Sequence, residues 1–561
     1  MSAPIVNAFA DGMDRGEFVV TLEYCLPPCG ESLKALHAIA DYAAGRPDVH
    51  AVALTDRVTS EGDYDPTAVA GEVMQRSGKT PLVHLSGKDR TPADLEERLR
   101  RCLDQGLENV LIVTGDMPRP ERPGQVIEPA NGFLDSVQGV HVAGRLDPRL
   151  RIAAGISTFK YTEPEAMNQY IKMHKKIAHG ARVIFNQVGY DLRKTQELTW
   201  YLRHSGESVP AIAALYWLAP GFARFALAGN VPGVLFTEDF CRRIEEICKE
   251  PDKGEGRRTD MMAIHIVLCR RFGYRGVHLG GLKKPESIDR VLRRAAELDT
   301  PENDVATLWS RWRDHLRFAD GRFAELGPPE GFYVFAPDAQ GLNTCEPVPQ
   351  DGECYSSARY ALLRAIHGVF FDRGLRPGGL GERLVRGLSR IPLVKSLGYV
   401  AERAAKIPLV GCQGCGSCSL PDTEYVCIEG KCAKHLTNGP CGGQHDGHCE
   451  AYPERECAWV EIYRRAKSAG NLAILREHYV LPKDRRLKGT CSWINLCLGL
   501  DHHGAERRDH AAGEHPRAQG SGCPATAEAC AEATMRAEPP DPALPKHNDC
   551  RVSRPMDRSR V

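Results

Sequence analysis

The stretch LENVLIVTGDMP, residues 107–118, decides the fold. Its apolar run at 110–113 is long enough for one buried strand and stops abruptly at Thr114-Gly115-Asp116, so a carboxylate sits on the turn that leaves a sheet. In a closed barrel of parallel strands the chemistry collects at the carboxyl ends of the strands, where an acid is more informative than one in mid-helix. Taken alone, Asp116 reads as ordinary Gly-Asp turn chemistry. The recurrence of the pattern along the chain changes that reading.

Working outward, the same alternation fills the first three hundred residues. Apolar runs at 18–22, 49–54, 81–85, 151–156, 183–185, 210–216 and 276–279 join the one at 110–113. Helical patterns separate them, at 32–44, after Pro66, from Thr91-Pro92-Ala93-Asp94, at 163–179 before Gly180, from Asp191, and around 236–248 and 259–271. Thr91 supplies an N-cap, Pro92 the first helical position, and Gly180 a C-cap. Eight strands with intervening helices over about 280 residues predict an α/β fold, a (β/α)8 TIM barrel.

Composition bounds the rest. The 561 residues are long for one domain, and 73 basic residues against 73 acidic ones leave no global field to attract nucleic acid or an anionic membrane. No run reaches the ~18 apolar residues of a spanning helix, and the first residues lack the basic and apolar regions of a signal peptide. A cytoplasmic enzyme is the expectation. Of the 21 cysteines, eight crowd between Cys412 and Cys457, which in a reducing compartment points to metal ligation.

Five polar groups fall at or just beyond strand ends: Glu23, Asp56, His84, Asp116 and Gln187. Each has a plain structural reading. Glu23 before Pro27-Pro28 can be a solvated acid, His84 a satisfied core histidine, Gln187 a cap for the helix at Asp191. Lys176, among Lys172, His174 and Lys175, reads as part of a solvated helix face. Together they converge on one rim. There an acid is a candidate proton donor, and a neutral amide suits the donor-acceptor edge of a heterocycle.

The motifs LEYCLPP, ALTD, VHLSGKDRTPADL, VLIVTGDMP and KKIAHGARVIFNQVGYD resemble those of the flavin-dependent 5,10-methylenetetrahydrofolate reductases, over residues 15–300. The resemblance implies FAD and a folate substrate, with 5,10-methylenetetrahydrofolate reduced to 5-methyltetrahydrofolate, or the reverse, in one-carbon and methionine metabolism. It implies Glu23 as the acid that protonates folate N10 and Asp116 as the carboxylate that favours the resulting iminium ion. Gln187 becomes a folate contact, and Thr55, His84, Thr114, Gly115, Asp116 and Lys176 flavin-contacting positions. Two departures stand out. Glu23 is followed by three residues before Pro-Pro, and Thr114 stands where many relatives carry an arginine. No G-x-G-x-x-G follows a strand and opens a helix, so no separate dinucleotide domain is expected. NAD(P)H remains a candidate donor, because in this family nicotinamide and folate take turns on one flavin face.

Residues 1–300 therefore form the expected barrel domain and 301–331 a linker, with a helix around 309–318 and a short strand in ELGPPEGFYVFAPD. Residues 332–500 form a small cysteine-rich, metal-binding domain, with basic helical patterns at 382–405. In CQGCGSC, Cys412, Cys415 and Cys418 stand at two-residue gaps, and Cys427, Cys432, Cys441, Cys449 and Cys457 follow. Three such thiolates with a distant fourth suit an iron–sulfur cluster, the preferred reading. Two four-sulfur zinc sites are the alternative, and a disulfide lobe ranks last. CQGCGSC, KCAKHLTNGPCGG and CEAYPERECAWVEIY, within 332–485, resemble the C-terminal domain fused to, or partnered with, some bacterial members of the same family. That resemblance implies donors other than free nicotinamide, an electron-donor protein among them, and a homo- or hetero-oligomer. Two other functions stay open: an electron-transfer or interaction subunit of a folate complex, and a zinc-dependent folate methyltransferase. Residues 501–561 lack apolar periodicity and read as a disordered tail in which Cys523, Cys530, Cys550, His502 and His503 receive no role.

Overall fold

Each apolar run becomes a short strand because parallel strands covered on both faces need apolar residues at nearly every position. The structure, a computed structural model, describes residues 5–58, 62–117, 132–348, 357–375 and 378–511. The strands are β1 (Val19–Tyr24), β2 (Ala51–Leu54), β3 (Leu82–Ser86), β4 (Asn109–Val113), β5 (Arg151–Ile156), β6 (Val183–Asn186), β7 (Ala211–Tyr216) and β8 (Gly276–Gly280). They pair in parallel in chain order and close between β8 and β1, which makes the (β/α)8 barrel the sequence predicts.

Side chains alternate across each strand, so one phase fills the barrel and the other meets the helices. Val19, Ala51, Ala53, Leu82, Leu111, Ala153, Val183, Phe185 and Ile212 pack inside, with Phe9 of the Ala8–Asp14 helix among them. Val20, Leu22, Val52, Leu54, Val83, Leu85, Val110 and Ile112 pack outward. This phase decides the site. Thr21 and Glu23 share the phase of Val19, His84 shares that of Leu82, and His278 on β8 is in register with Thr21.

The helix boundaries follow their caps. Thr91 and Asp94 form a reciprocal capping box at the start of Pro92–Asp104. Glu163–Ala178 ends just before Gly180, whose φ of +117° suits a residue without Cβ. Asp191 accepts from the Arg193 and Lys194 amides to open Leu192–His204.

Beyond the barrel, the Val305–His315 helix buries Leu308 and Trp312 against it. A hairpin follows, β9 (Phe335–Pro337) with β10 (Asn343–Pro347). Val334, Phe335 and Leu342 belong to the barrel core, and Arg193 donates to Asn343 Oδ1 at 2.8 Å, so this segment packs with the barrel. The Leu380–Leu388 and Pro392–Val410 helices match the helical patterns expected there.

The cysteine-rich region packs on the outer face of the Glu163–Ala178 helix. Ile171 joins Trp459, Ile462 and Tyr463 in one apolar cluster. Tyr463 Oη donates to Glu163 at 2.7 Å, Asn168 Nδ2 to the Trp459 carbonyl at 2.7 Å, and Gly447 N to Glu165 at 2.9 Å. The helix is thus covered on both sides, and Lys172, His174, Lys175 and Lys176 are buried. The solvated-face reading of this lysine-rich helix is overturned. Its polar residues serve an interface that periodicity cannot distinguish from solvent.

The tail also differs from expectation. His502–Ala511 is a helix, and Asp501 and His502 are buried. Partners at Ser417 and Asp422 order a segment whose composition offers no apolar face. Cys523, Cys530 and Cys550 lie outside the described residues.

Candidate functional site

At the centre of the mouth, Glu23 and His278 face each other, with Glu23 Oε1 3.6 Å from His278 Nε2. Thr21 Oγ1 lies 2.7 Å from the other ring nitrogen and fixes the imidazole. His84 stands beside it, ring centroids 5.5 Å apart, and its buried Nε2 has no hydrogen-bond partner among the described residues. Room for the carboxylate comes from Gly280, where a Cβ would fall 2.4 Å from Glu23 Oε2. Burial raises the Glu23 carboxyl, but His278 and then His84 more than offset this, and it titrates below the usual carboxylate range. Burial and the neighbouring His278 push His84 down to about 4, so it is neutral at pH 7. Glu23 and His278 thus stand within ion-pair reach of each other at the centre of the mouth.

Asp116 follows β4 on a turn that Gly115 makes possible. At φ +87° a Cβ there would lie 2.4 Å from Ser86 Oγ. Two of its charged neighbours, Lys434 and Glu450, come from the cysteine-rich region. Lys434 Nζ donates to the Gly115 carbonyl at 2.9 Å and pairs with Glu450. Asp116 has an exposed side chain on the cavity wall, where crowding by surrounding protein and the Glu450 charge push it up to about 6, against the opposing pull of Lys434 and Lys88. Asp116 lines a cavity of about 750 Å³ between the barrel and the cysteine-rich region. Arg57, Lys88, Lys160 and Cys449 share that wall. The volume suits a large heterocyclic ligand, and the basic residues suit its anionic groups.

The other expected residues spread out. Gln187 follows β6, where its Nε2 donates to the Pro232 carbonyl at 3.2 Å and its Oε1 accepts from Val188 N. Asp56 is taken up structurally: Arg90 pairs with both its oxygens, and Ser86 N donates to it at 2.9 Å. Thr55 is buried at the end of β2, and Thr114 Oγ1 accepts from Ser136 N at 3.2 Å. Lys176 lies between its helix and β5, bonded to the Gly155 carbonyl, and burial pushes it down to about 7. It does not line the mouth cavity; Lys160 does. Sequence reading missed His278, Lys160, Lys434 and Glu450. The lone histidine in GVHLG was a legible signal, whereas nothing local tied KCAKHLT to the barrel.

The eight cysteines sort into two quartets. Cys412, Cys415, Cys418 and Cys427 line one void of about 20 Å³, with Lys406, Glu402 and Lys483 on its wall. Cys432, Cys441, Cys449 and Cys457 line a second of the same size, beside Lys434 and Glu450. Gly414 N and Gly443 N donate to Cys412 and Cys441 sulfurs, each at 3.4 Å, and Lys406 Nζ lies 3.3 Å from Cys418 Sγ. Among the described residues, the ligand atoms that all gather within 4.8 Å are those of Asp422, His502 and His503. Neither quartet is drawn in to the roughly 3.8 Å sulfur spacing of tetrahedral zinc. Cys449 lines both the second void and the mouth cavity, so that quartet abuts the candidate site.

A family model described as methylenetetrahydrofolate reductase matches residues 8–296, the whole barrel. The chain belongs to the methylenetetrahydrofolate reductase family. A second model, methylene-tetrahydrofolate reductase C terminal, matches residues 391–486 and so covers both quartets. Family membership makes the chain an oxidoreductase acting on a folate. No curated protein matches the chain. One of the solved structures that match is 12% identical, with a TM-score of 0.35, over 52% of this chain and 99% of that one. It is titled an uncharacterized protein from Clostridium thermocellum that binds two copies of 5-methyl-5,6,7,8-tetrahydrofolic acid.

Proposed function

We propose that this member of the family reduces 5,10-methylenetetrahydrofolate to 5-methyltetrahydrofolate, or runs the reverse oxidation, at the barrel mouth. In this reading the cysteine quartets hold iron–sulfur clusters that connect an electron donor to the site. The observation that carries it is the shared wall: Cys449 belongs to the second quartet and to the cavity that Asp116 lines.

The chain's own residues have separable tasks. Glu23 is ionised in the empty site, so in this reading it takes up a proton when bound folate displaces water from around it, and then delivers that proton to folate N10, which opens the imidazolidine ring. Asp116 is held close to its ionised form by Lys434 and favours the cation that ring opening creates. Gln187 orients the pterin edge. The adjoining lysines Lys406, Lys434 and Lys483 would offset the charge of thiolate-bound clusters of iron and sulfide. A flavin suits the 750 Å³ cavity, with Arg57, Lys88, Asp116 and Lys160 to hold it. When bound, a flavin supplies hydride transfer and accepts electrons singly. An electron-donor protein rather than free NAD(P)H is the preferred source. The exposed row Leu380, Leu384, Leu388, Leu393 and Leu397 offers such a partner a surface.

Rapid mixing of anaerobically reduced protein with 5,10-methylenetetrahydrofolate tests this. 5-Methyltetrahydrofolate should form as the flavin band returns. Product without any flavin signal would overturn the flavin assignment, and no product under any donor would overturn the reductase reading.

A further inference from the structure

Away from the cysteines, three imidazoles converge on one buried carboxylate. Asp422 lies on the Pro421–Thr423 turn between Cys418 and Cys427, with its side chain 5% exposed. His502 Nε2 is 3.0 Å and His503 Nε2 3.7 Å from its Oδ2, while His478 Nε2 is 2.9 Å from its Oδ1. Successive residues of a helix point about 100° apart. Yet His502 and His503, at the start of the His502–Ala511 helix, turn both rings to one oxygen, with centroids 4.0 Å apart.

We propose that Asp422, His502 and His503 bind a divalent cation of the zinc type. Imidazole nitrogens and a carboxylate oxygen about 2.0–2.1 Å from zinc stand roughly 3.3 Å from one another in a tetrahedron, and 3.0 and 3.7 Å bracket that spacing. All three ligand atoms fall within 4.8 Å of one another.

The surroundings are those of a metal site. Ser417 Oγ sits 2.7 Å from His502 Nδ1, so the Nδ1 proton can be donated to it, leaving the Nε2 lone pair facing Asp422. Glu506 Oε2 lies 3.7 Å from His503 Nδ1 and backs that ring in the same way. His478 donates to the carboxylate oxygen that the cation leaves over. A hydroxyl or carboxylate behind each ligating histidine is the usual orienting shell of bound zinc. The cation ties the His502–Ala511 helix to the turn that carries Asp422, and so braces the loop that bears Cys418 and Cys427. This site stands independently of what the quartets hold.

The test is a difference measurement on the full chain, so it does not depend on iron or zinc in the quartets. Zinc and iron are counted in wild type, H503Q and D422N. H503Q should lose one equivalent of zinc with iron unchanged. If wild type carries no such zinc, titration with Zn2+ alone against a chromophoric chelator should find one tight equivalent that H503Q lacks. S417A, which keeps all three ligands, should weaken that equivalent roughly 10–100-fold. If D422N fails to fold, H503Q and S417A decide. Equal zinc content and equal Zn2+ affinity in wild type and H503Q would overturn the site, as would a variant whose lost metal proves to be bound by sulfur.

Discussion

Replacing Glu23 by Gln isolates the proton from the shape. The amide keeps the side chain's volume in the space that Gly280 leaves, and its oxygen can still face His278 Nε2 across the same 3.6 Å. What is lost is the acid. At that separation and an effective permittivity of about 20, opposite full charges attract by about 4–5 kcal/mol before desolvation is counted. Part of this is returned, because the carboxylate's own burial cost disappears with its charge. Stability should therefore change by less than about 2 kcal/mol, and any loss should shrink in acid. The sign follows from the depressed Glu23 carboxyl: its contribution is present above the unfolded value and is lost as pH falls through the folded one. The chemical step should fall roughly 10²–10⁴-fold, about 3–5 kcal/mol of barrier. Single-turnover formation of 5-methyltetrahydrofolate is the assay, with folate affinity measured in parallel and expected to hold. A chemical step within threefold of wild type, in protein that still binds folate, would refute the proton-donor role.

Gly280→Ala should depress turnover through the same carboxylate, because its Cβ meets Glu23 Oε2; unchanged kcat would argue that Glu23 does not work from this position. Lys434→Met leaves Glu450 and Asp116 without their cation and should cost about 3–5 kcal/mol in denaturant unfolding. It should also move the acid limb of the rate profile to higher pH, since Asp116 then holds its proton longer; an unmoved limb would separate Asp116 from the chemistry. Because the folded Asp116 carboxyl sits at about 6, above its unfolded value, stability should decline as pH rises from about 4 to 6. Asp116→Asn should remove that slope, and calorimetry across this window checks it. Cys415→Ser and Cys432→Ser each touch one quartet and should each remove about half of the bound iron; loss of all iron from either would mean one shared centre.

How much of this was legible in the sequence depends on the range of the interactions. The barrel was, because apolar runs of strand length, capped helices and short turns are local signals, and their strand-end positions already placed Glu23 and His84 on the rim. The clustering of the cysteines was legible too, but their division into 412–427 and 432–457 quartets is set by chain folding that spacing does not encode. Lys176 shows the limit. A helix rich in lysine reads as solvated, yet it is sandwiched between β5 and the cysteine-rich region, and only the second layer reveals that. The same long-range packing brings Lys434 to Asp116, 318 residues away in the chain, since Lys434 reaches the neighbouring Gly115 carbonyl. His502 was misread because composition measures the average of a segment, and two buried partners were enough to order one end of it.

The central claim is that cysteine-bound clusters feed a flavin at a folate-reducing barrel mouth. Quantifying flavin, iron, sulfide and zinc on one anaerobically purified sample, alongside its absorption spectrum, tests it most directly. The account predicts one flavin with roughly eight iron and eight sulfide per chain, and a broad absorbance near ~400 nm that bleaches on reduction. Zinc in both quartets with no iron, or a chain that neither retains nor binds flavin, would contradict it.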